Sequence, residues 1–368
     1  MTGVTEPGAS GPEHRLSLNE MPAVPVTGLD EALLDALRGA HRYPDPFARE
    51  LTAAIAAAHS VPAHDVVTGP GSAVILQHVI QWAAPRRGEV VYARPSFDAY
   101  PLAVAAAGAT AVEIPLRDHR HDLPRMLAAV TPDTRALLLC NPHNPTGTAL
   151  GADALLAFLR AVPEHVVVVL DEAYREFAGD KDTLDGPDVY RGLPNVVVLR
   201  SFSKAYGLAG LRVGFALARR EVADVLRTRL LPFAVGTVAE AAARTVLARR
   251  SEVYARVDRV VAERDRLTAE LRGQGWEVVP SAANFCWLPL GSRSAAFVAA
   301  AAREGILVRA VAGEGVRVTV GDPAANDAVL RLTARLARER EEPVGPAAAV
   351  EGLTGLEGPT GPAEAPGD

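Results

Sequence analysis

The feature that most constrains the fold of this chain is the alternation of short apolar runs with helical patterns. Five strand-like runs rich in Val, Leu and Ile follow one another: EVVYA, TAVEI, RALLLC, HVVVVLD and NVVVLR. Several are separated by segments such as LPRMLAAV and ADALLAFLRAV, in which apolar residues recur at helical spacing. Continuous apolar runs, rather than alternating ones, indicate strands that are covered on both faces. The pattern therefore predicts an α/β fold in which a mostly parallel sheet lies between helices.

A different pattern begins after about residue 237. A long charged amphipathic segment, SEVYARVDRVVAERDRLTAELR, precedes patterns for a strand, a helix and two short strands, ILVRA and GVRVTV. We therefore predict a large domain over residues 29–236 and a smaller α+β domain over residues 237–340. Residues 16–28 are predicted to form an arm that joins the small domain.

The two ends of the chain differ from the rest in composition. Residues 1–15 and 341–368 are rich in Gly, Pro, Ala and Glu and contain almost no large apolar residues. Such segments bury too little apolar surface to offset the entropy lost on ordering. We predict that both ends are disordered.

Charge and cysteine content argue against several kinds of partner. The formal net charge is -6, so there is no basic excess of the kind that favours nucleic acid. The N-terminus lacks a signal-peptide pattern, and no window approaches the roughly 18 apolar residues of a membrane span. Cys140 and Cys286 are far apart, with no second ligand nearby for a metal site. We expect a cytoplasmic protein that binds neither nucleic acid nor a membrane and holds no metal.

Polar side chains follow three consecutive strand-like runs. RALLLC leads into NPHNPTG, HVVVVL into DEAY and NVVVLR into SFSK. Each motif taken singly has an ordinary explanation as a turn, a helix cap or a solvated lysine. Together they bring Asn144, Asp171, Tyr174 and Lys204 to the carboxyl edge of the sheet, where ligand sites form in such folds. We therefore predict a site at this edge.

The chemistry of these side chains suits a carbonyl cofactor. A sheltered lysine amine can form a Schiff base with a carbonyl, and pyridoxal 5'-phosphate is held in this way. A carboxylate such as Asp171 favours the protonated form of the cofactor's ring nitrogen. Asn144 and Tyr174 are suitable donors to its phenolic oxygen.

A phosphate group needs hydroxyls, a cation and backbone N–H groups. The segment TGPGSAV opens the predicted helix SAVILQHVIQW, and a helix N-terminus offers unpaired N–H groups to an anion. Phe97 of RPSFDAY offers an aromatic face for the cofactor ring, although core packing explains a single Phe equally well. The candidates for the phosphate are Gly71, Ser72, Ala73, Ser201, Ser203 and Arg212.

The motifs NPHNPTG, DEAYREF and SFSKAYGLAGLRVG, in this order, resemble the signature blocks of pyridoxal-phosphate-dependent aminotransferases of class I/II, fold type I. RYPDP, SFDAYP, SAANFCWL, ILVRA and GVRVTVG extend the similarity to the branch of histidinol-phosphate aminotransferases and the aromatic amino-acid aminotransferases of actinobacteria. The resemblance covers about residues 16–335. It implies a large domain with a mostly parallel seven-stranded sheet between helices, and a smaller α+β domain.

The resemblance also implies roles for single residues. Lys204 would anchor the cofactor and move a proton, and Asp171 would pair with the ring nitrogen. Arg317 of GVRVTV would hold the substrate's α-carboxylate, a group that a guanidinium binds in bidentate fashion. Arg309 of ILVRA matches a position that contacts the distal phosphate in histidinol-phosphate enzymes. Tyr43 of RYPDP would reach the cofactor phosphate of a neighbouring subunit, so a homodimer is expected.

The sequence motifs indicate the substrate less specifically than they indicate the family. Related chains read close to NENPYGP near the N-terminus, whereas this chain reads NEMPAVP, which puts Ala23 where a tyrosine often covers the side-chain pocket. We place an aromatic amino acid with 2-oxoglutarate first and histidinol phosphate second. An aminotransferase or decarboxylase of specialised metabolism is a further alternative. A ligand-sensing protein has little support, because the chain has no basic helix-turn-helix segment.

Overall fold

A seven-stranded sheet forms the centre of the larger part of the molecule. In this computed structural model, which describes residues 14–22, 26–179, 184–311 and 313–341, the strand order is β2-β8-β7-β6-β5-β3-β4. All neighbours pair in parallel except β8, which is antiparallel to both β2 and β7. Numbered in chain order, the strands are β2 (Val66–Gly69), β3 (Glu89–Arg94), β4 (Thr110–Pro115), β5 (Thr134–Cys140), β6 (Val167–Asp171), β7 (Val196–Ser201) and β8 (Gly214–Leu217).

Helices cover both faces of this sheet. Leu137 and Leu139 of β5 face one apolar cluster and Leu138 faces another, so successive residues of the strand are buried on opposite sides. This explains why the run is apolar throughout rather than alternating. The helices of this part are α1 (Leu29–Arg38), α2 (Arg49–Ala58), α3 (Ser72–Ala83), α4 (Ala99–Ala106), α5 (Leu123–Ala128), α6 (Ala152–Ala161), α7 (Gly186–Val189), α8 (Arg220–Arg229) and α9 (Thr237–Ala248).

A three-stranded antiparallel sheet lies in the C-terminal part, with the order β11-β12-β9. The run ILVRA divides between two sheets, because its first residues form β10 and pair in parallel with the N-terminal strand β1, whereas its last residues join β12. The elements are β1 (His14–Arg15), α10 (Arg250–Gly273), β9 (Phe285–Leu288), α11 (Ser294–Arg303), β10 (Ile306–Leu307), β11 (Arg309–Val311), β12 (Gly315–Thr319) and α12 (Pro323–Glu341).

The observed architecture confirms the α/β prediction and the mostly parallel seven-stranded sheet. The domain boundaries stay a prediction; α9, assigned to the small domain from sequence, packs against α1 and α2. His14 and Arg15 form β1, although residues 1–15 were predicted to be disordered. Glu341, the first residue of the predicted disordered tail, is the last residue of the helix that begins at Pro323. The rest of that prediction, for residues 1–13 and 342–368, lies outside the described residues.

Membrane and metal sites can be assessed over the same residues. Within the described ranges, no helix is both long enough and apolar enough to span a bilayer. Nor does that part of the chain contain a group of three or more His, Cys, Asp or Glu residues that could hold a metal ion. Cys140 and Cys286 are unpaired and buried.

Candidate active site

The carboxyl ends of β5, β6 and β7 meet beside the small sheet, as the sequence predicts. β5 leads into Asn144, β6 ends at Asp171, and Lys204 follows β7. The three strands are adjacent and parallel, so their ends lie at one edge. From the opposite side, β12 contributes Arg317, whose guanidinium donates to Oδ1 of Asn144. The site therefore lies between the large sheet and the small one.

Lys204 is partly enclosed at the centre of this edge. Its Nζ donates to the carbonyl oxygen of Leu18, in the N-terminal arm, over 2.8 Å. The same atom lies 5.8 Å from the centre of the Tyr174 ring. Burial and, second, the positive charge of Arg317 lower the pKa of Lys204 to about 8. Near neutral pH the uncharged amine, the form that a nucleophile requires, is therefore far more populated than in an ordinary lysine.

Asp171 is a buried carboxylate. Its Oδ2 accepts from the Tyr100 hydroxyl over 3.2 Å, and its Oδ1 accepts from the backbone N–H of Ala173 over 3.2 Å. Burial raises the pKa of Asp171 to about 6, partly opposed by these hydrogen bonds and by the charge of Lys204. Among the described residues no cation forms an ion pair with it, so the carboxylate is free to meet a positive group in the site.

Tyr174 and Arg317 are both buried on the side of the small sheet. The Tyr174 hydroxyl accepts from Nδ2 of Asn19 over 2.9 Å. Arg317 donates from Nη2 to the Ser17 carbonyl oxygen over 2.7 Å, while its Nε has no hydrogen-bond partner in the described part of the chain. Burial lowers the pKa of Arg317, although an arginine stays charged at any physiological pH. A guanidinium that is buried without a carboxylate partner among the described residues suits an incoming carboxylate.

A cradle for an anion forms where α3 begins. No side chain caps this helix, and its N-cap residue Gly71 has φ 98°, a conformation that strongly favours glycine. A Cβ at Gly71 would lie 2.7 Å from Nη2 of Arg212. Arg212 also donates to the Ser203 hydroxyl over 3.2 Å, and the Ser201 hydroxyl accepts from the N–H of Ser203 over 3.0 Å. These groups, with Ser72 and Ala73 in the first turn of the helix, can bind a phosphate.

Three predicted residues lie at or beyond the rim. Phe97 is half-buried and its ring meets that of Tyr100 at 78°. Arg309 forms an ion pair with Asp98 instead of facing an open pocket. Tyr43 is 84% exposed and packs on Phe233, so within one chain it does not join the cradle. The prediction for Ala23 lies outside the described residues.

Two functional residues were not identified from sequence. Tyr100 holds Asp171, and its position three residues after Phe97, inside the same motif, is the signal that could have indicated it. Asn19 binds Tyr174 and also accepts, through its backbone oxygen, from Nδ2 of Asn284 over 3.1 Å. Its φ of 55° is unusual for a residue other than glycine, which sequence alone does not reveal.

The residues present fit pyridoxal 5'-phosphate. Asp171 is a buried carboxylate without a cation partner among the described residues, which suits a protonated ring nitrogen. The Gly71 cradle has no room for a Cβ beside Arg212 and leaves the helix N-terminus uncapped, which suits a dianion. Lys204 provides an amine of lowered pKa between them.

Comparison with known proteins decides the family. Residues 14–332 match the profile of aminotransferase class I and II. The chain belongs to this family. This aminotransferase is 50% identical over 325 residues to the aromatic amino acid aminotransferase of Thermobifida fusca, covering 88% of this chain and 90% of the relative. It is 46% identical over 333 residues to the aromatic amino acid aminotransferase of Streptomyces avermitilis, covering 90% and 93%.

Solved structures agree on the fold of the aminotransferase. The histidinol-phosphate aminotransferase of Sinorhizobium meliloti, crystallised with pyridoxal-5'-phosphate, superposes with a TM-score of 0.84 at 28% identity, covering 89% of this chain and 91% of that one. The predicted family and fold type are therefore confirmed. The roles assigned to single site residues stay predictions.

Proposed function

We propose that this aminotransferase uses pyridoxal 5'-phosphate to move the amino group of an aromatic amino acid to 2-oxoglutarate. The observation that carries the proposal is the placement of Lys204, Asp171 and Arg317 around one cleft, with an anion cradle at its end. The choice of substrate is supported by the relatives, because those at 46–50% identity are named for aromatic amino acids.

Each side chain has a defined task in this proposal. The cofactor, when bound, supplies an electron sink for the bonds at the substrate's Cα. Lys204 would hold the cofactor through Nζ, and the same amine would accept and return the proton at the substrate's Cα. Asp171 would stabilise a positive charge at the ring nitrogen, and Asn144 and Tyr174 would hold the phenolic oxygen. Arg317 orients the substrate through its α-carboxylate.

Histidinol phosphate is the second candidate. It is favoured by the fold neighbour from Sinorhizobium meliloti and by Arg309, a cation at the rim of the cleft. However, the carboxylate of Asp98 neutralises Arg309. The relatives of higher identity are named for aromatic substrates, so we place histidinol phosphate behind them.

A donor panel tests the proposal. Phenylalanine, tyrosine, tryptophan and histidinol phosphate are each offered with 2-oxoglutarate, and kcat/KM is measured by glutamate formation. We expect the aromatic donors to exceed histidinol phosphate by at least about tenfold, the ratio that about 1.4 kcal/mol of selective binding produces. A tenfold preference for histidinol phosphate would reverse the ranking, and activity only with another donor would exclude both.

We also propose that the active enzyme is a homodimer. Tyr43, Phe47 and Leu231 are large apolar residues that are more than half exposed, which is common for residues that a partner covers. Tyr43 would then reach the cofactor phosphate of the neighbouring subunit. The cytoplasmic location and the absence of nucleic-acid binding stay predictions from the sequence.

A further inference from the structure

A chain of hydrogen bonds links β12, the N-terminal arm and Tyr174. The backbone N–H of Asn19 donates to Oγ1 of Thr319 over 2.9 Å, and the Thr319 hydroxyl donates to Oδ1 of Asn19 over 3.2 Å. Nδ2 of Asn19 donates to the Tyr174 hydroxyl oxygen over 2.9 Å. Asn19 and Thr319 are each 1% exposed and Tyr174 is 4% exposed, so these groups depend on one another rather than on solvent for their hydrogen bonds.

The Thr319 hydroxyl fixes the orientation of the Asn19 amide. Its oxygen already accepts from the backbone, so its single hydrogen has to find an acceptor, and among the described residues that acceptor is Oδ1 of Asn19. Turning the amide by 180° would place its NH2 group against Thr319 and leave the hydroxyl hydrogen buried without an acceptor, which is unfavourable. The NH2 group of Asn19 is therefore directed at Tyr174.

The same reasoning fixes where the Tyr174 hydrogen can go. The hydroxyl oxygen accepts from Asn19, so its own hydrogen points in another direction, and in the described part of the chain no acceptor takes it. The ring is held edge-on against Phe285, with 5.3 Å between the ring centres and 88° between their planes. Burial raises the pKa of Tyr174, so the phenol keeps its hydrogen at physiological pH, although the charge of Arg317 opposes the rise. One hydrogen remains for an acceptor that enters the cleft.

We propose that Asn19 and Thr319 are positioning residues, which turn the hydrogen of the Tyr174 hydroxyl toward the phenolic oxygen of pyridoxal 5'-phosphate. Both act through Tyr174 and need no contact with the cofactor or the substrate. The inference rests on the proposed function and deepens it, because it assigns the residues that set the protonation behaviour of the cofactor.

The expected effect follows from the charge of the phenolic oxygen. A negative charge on this oxygen favours retention of a nearby proton, and a hydrogen bond donated to the oxygen stabilises the charge and weakens that effect. Without the donated hydrogen bond, the proton should be lost at higher pH. The pH midpoint of the change in visible absorbance of the bound cofactor measures this, and the measurement needs no amino donor.

Four single substitutions separate the members of the chain. Asn19→Gly removes the donor to Tyr174 and keeps the backbone, because glycine readily adopts the φ of 55° found at Asn19. Thr319→Val removes the hydroxyl and keeps a β-branched side chain, whereas Thr319→Ser keeps the hydroxyl. Tyr174→Phe removes the donated hydrogen itself and sets the upper limit of the effect.

The test is a pH titration of the visible absorbance of the holoenzyme. Tyr174→Phe should raise the midpoint by about one to two pH units, which corresponds to the loss of a hydrogen bond to a charged group. Asn19→Gly and Thr319→Val should raise it by at least about half a unit, because Tyr174 then donates in only some of its orientations. Thr319→Ser should keep the wild-type midpoint. If Thr319→Val does not fold, Asn19→Gly alone decides.

A double variant distinguishes positioning from a general loosening of the site. Added to Tyr174→Phe, Asn19→Gly should cause no further rise, because the hydrogen that Asn19 directs is already absent. Thr245→Val is the matched control: it removes a hydroxyl that donates to the Ala241 carbonyl oxygen on α9, and it should keep the wild-type midpoint. A wild-type midpoint in Asn19→Gly, or the same rise with and without the Tyr174 hydroxyl, would overturn the inference.

Failure of the proposed function gives a different result. A wild-type enzyme that binds the cofactor but does not act on phenylalanine contradicts the proposed substrate, while the midpoints still test the roles of Asn19 and Thr319. A wild-type protein that takes up no pyridoxal 5'-phosphate contradicts both proposals.

Discussion

At the residue scale, the reactivity of the site depends on how burial changes two titratable groups. The amine of Lys204 loses solvent and lies near Arg317, so its pKa falls to about 8. The carboxyl of Asp171 is buried as well, and its pKa rises to about 6. Both shifts disfavour the charged form of the side chain. A bound group that carries opposite charges would therefore be stabilised by both residues.

The first prediction concerns the amine of Lys204. When cofactor-free protein is mixed with pyridoxal 5'-phosphate, the rate of covalent capture should rise with pH and level off above about 8, because the uncharged amine is the reactive form and its pKa is lowered to about 8. Stopped-flow absorbance measures the rate. The control is free lysine with its α-amine blocked. The reactivity of its side-chain amine should continue to rise well above pH 8. Lys204→Ala should show no covalent capture and no turnover; capture in that variant would contradict the assignment.

The second prediction concerns Asp171. Asp171→Asn should fold and retain some cofactor binding but lower kcat on the order of a hundredfold or more, because an amide cannot stabilise a protonated ring nitrogen by charge. Tyr100→Phe removes only the hydrogen bond to Oδ2 and keeps the carboxylate, so a much smaller loss is expected. Steady-state kinetics with phenylalanine gives both values. Wild-type turnover in Asp171→Asn would mean that another residue meets the ring nitrogen.

The sequence predicts which residues converge but not how they are held. Asn144, Asp171 and Lys204 could be placed together because each follows a parallel strand, and the ends of such strands share an edge. Their supporting partners come from distant segments: Tyr100 lies 71 positions from Asp171, and Asn19 lies 155 positions from Tyr174. No local pattern encodes such pairs, since they arise only when segments distant in the sequence pack together in the folded chain.

At the element scale, the start of α3 is fixed by its contact with β8. A Cβ at Gly214 would lie 2.5 Å from the backbone N of Ser72, so the strand and the helix start can approach only through a glycine. β2 and β8 were not identified from sequence. Both are four residues long, and each contains a glycine at one end, which weakens the apolar pattern. The longer runs of β3 to β7 carry a stronger signal and were predicted.

The third prediction concerns the cradle at this helix. Gly71→Ala should weaken binding of pyridoxal 5'-phosphate by at least about tenfold, because the new Cβ would displace Arg212 and the position has φ 98°. Gly108→Ala is the matched control, since Gly108 has φ 65° but a Cβ there meets nothing within 4 Å. Titration of cofactor-free protein measures the affinity. Equal losses in the two variants would attribute the effect to backbone strain alone.

Behind the site, Arg200 of β7 binds several carboxylates. Its Nε lies 2.7 Å from Oε2 of Glu172, its Nη1 lies 3.2 Å from Oε1 of Glu176, and its Nη2 contacts Asp185. Arg175 also lies near this cluster, with its Nε 3.8 Å from Oδ1 of Asp185, so two positive charges face three acidic groups. Burial raises the pKa of Glu172 to about 7, and it also raises the pKa of Glu176.

The fourth prediction follows from the sign of this shift. The pKa of Glu172 is higher in the folded state than its ordinary value of 4.5, so at intermediate pH the folded protein binds more protons than the unfolded chain. The contribution of Glu172 to the free energy of unfolding should therefore fall as pH rises from about 4.5 to about 7. In Glu172→Gln that fall should shrink by about 3 kcal/mol, at about 1.4 kcal/mol for each pH unit between the two pKa values. Urea unfolding at several pH values measures it. Glu164→Gln, at an exposed position, should keep the wild-type slope, and an unchanged slope in Glu172→Gln would contradict the argument.

At the scale of the whole molecule, the N-terminal arm joins the two sheets at the cleft. β1 pairs with β10, and the backbone N–H of Asn19 donates to Oγ1 of Thr319 on β12 over 2.9 Å. Between these contacts, Leu18 offers its carbonyl oxygen to Lys204. The arm was predicted to join the small domain, but its direct contact with the lysine follows from the folded path of the chain and could not be read from residues 16–28.

The fifth prediction tests whether two subunits build each site. Tyr43 is 84% exposed and rests on Phe233, so the Tyr43→Ala variant should fold normally. It should bind the cofactor less tightly if the Tyr43 hydroxyl serves the neighbouring subunit.

A hybrid-dimer experiment separates the two arrangements. Subunits carrying Tyr43→Ala and subunits carrying Lys204→Ala are each impaired alone. Co-expressed, they form hybrid dimers in which one site has both substitutions and the other has neither. Random pairing then restores about a quarter of wild-type activity, because half of the dimers are hybrids with one intact site. Light scattering confirms the dimer. If Tyr43 acts within its own chain, the Tyr43→Ala subunit carries its own defect into every site that still has Lys204, and co-expression gives no more activity than Tyr43→Ala subunits alone.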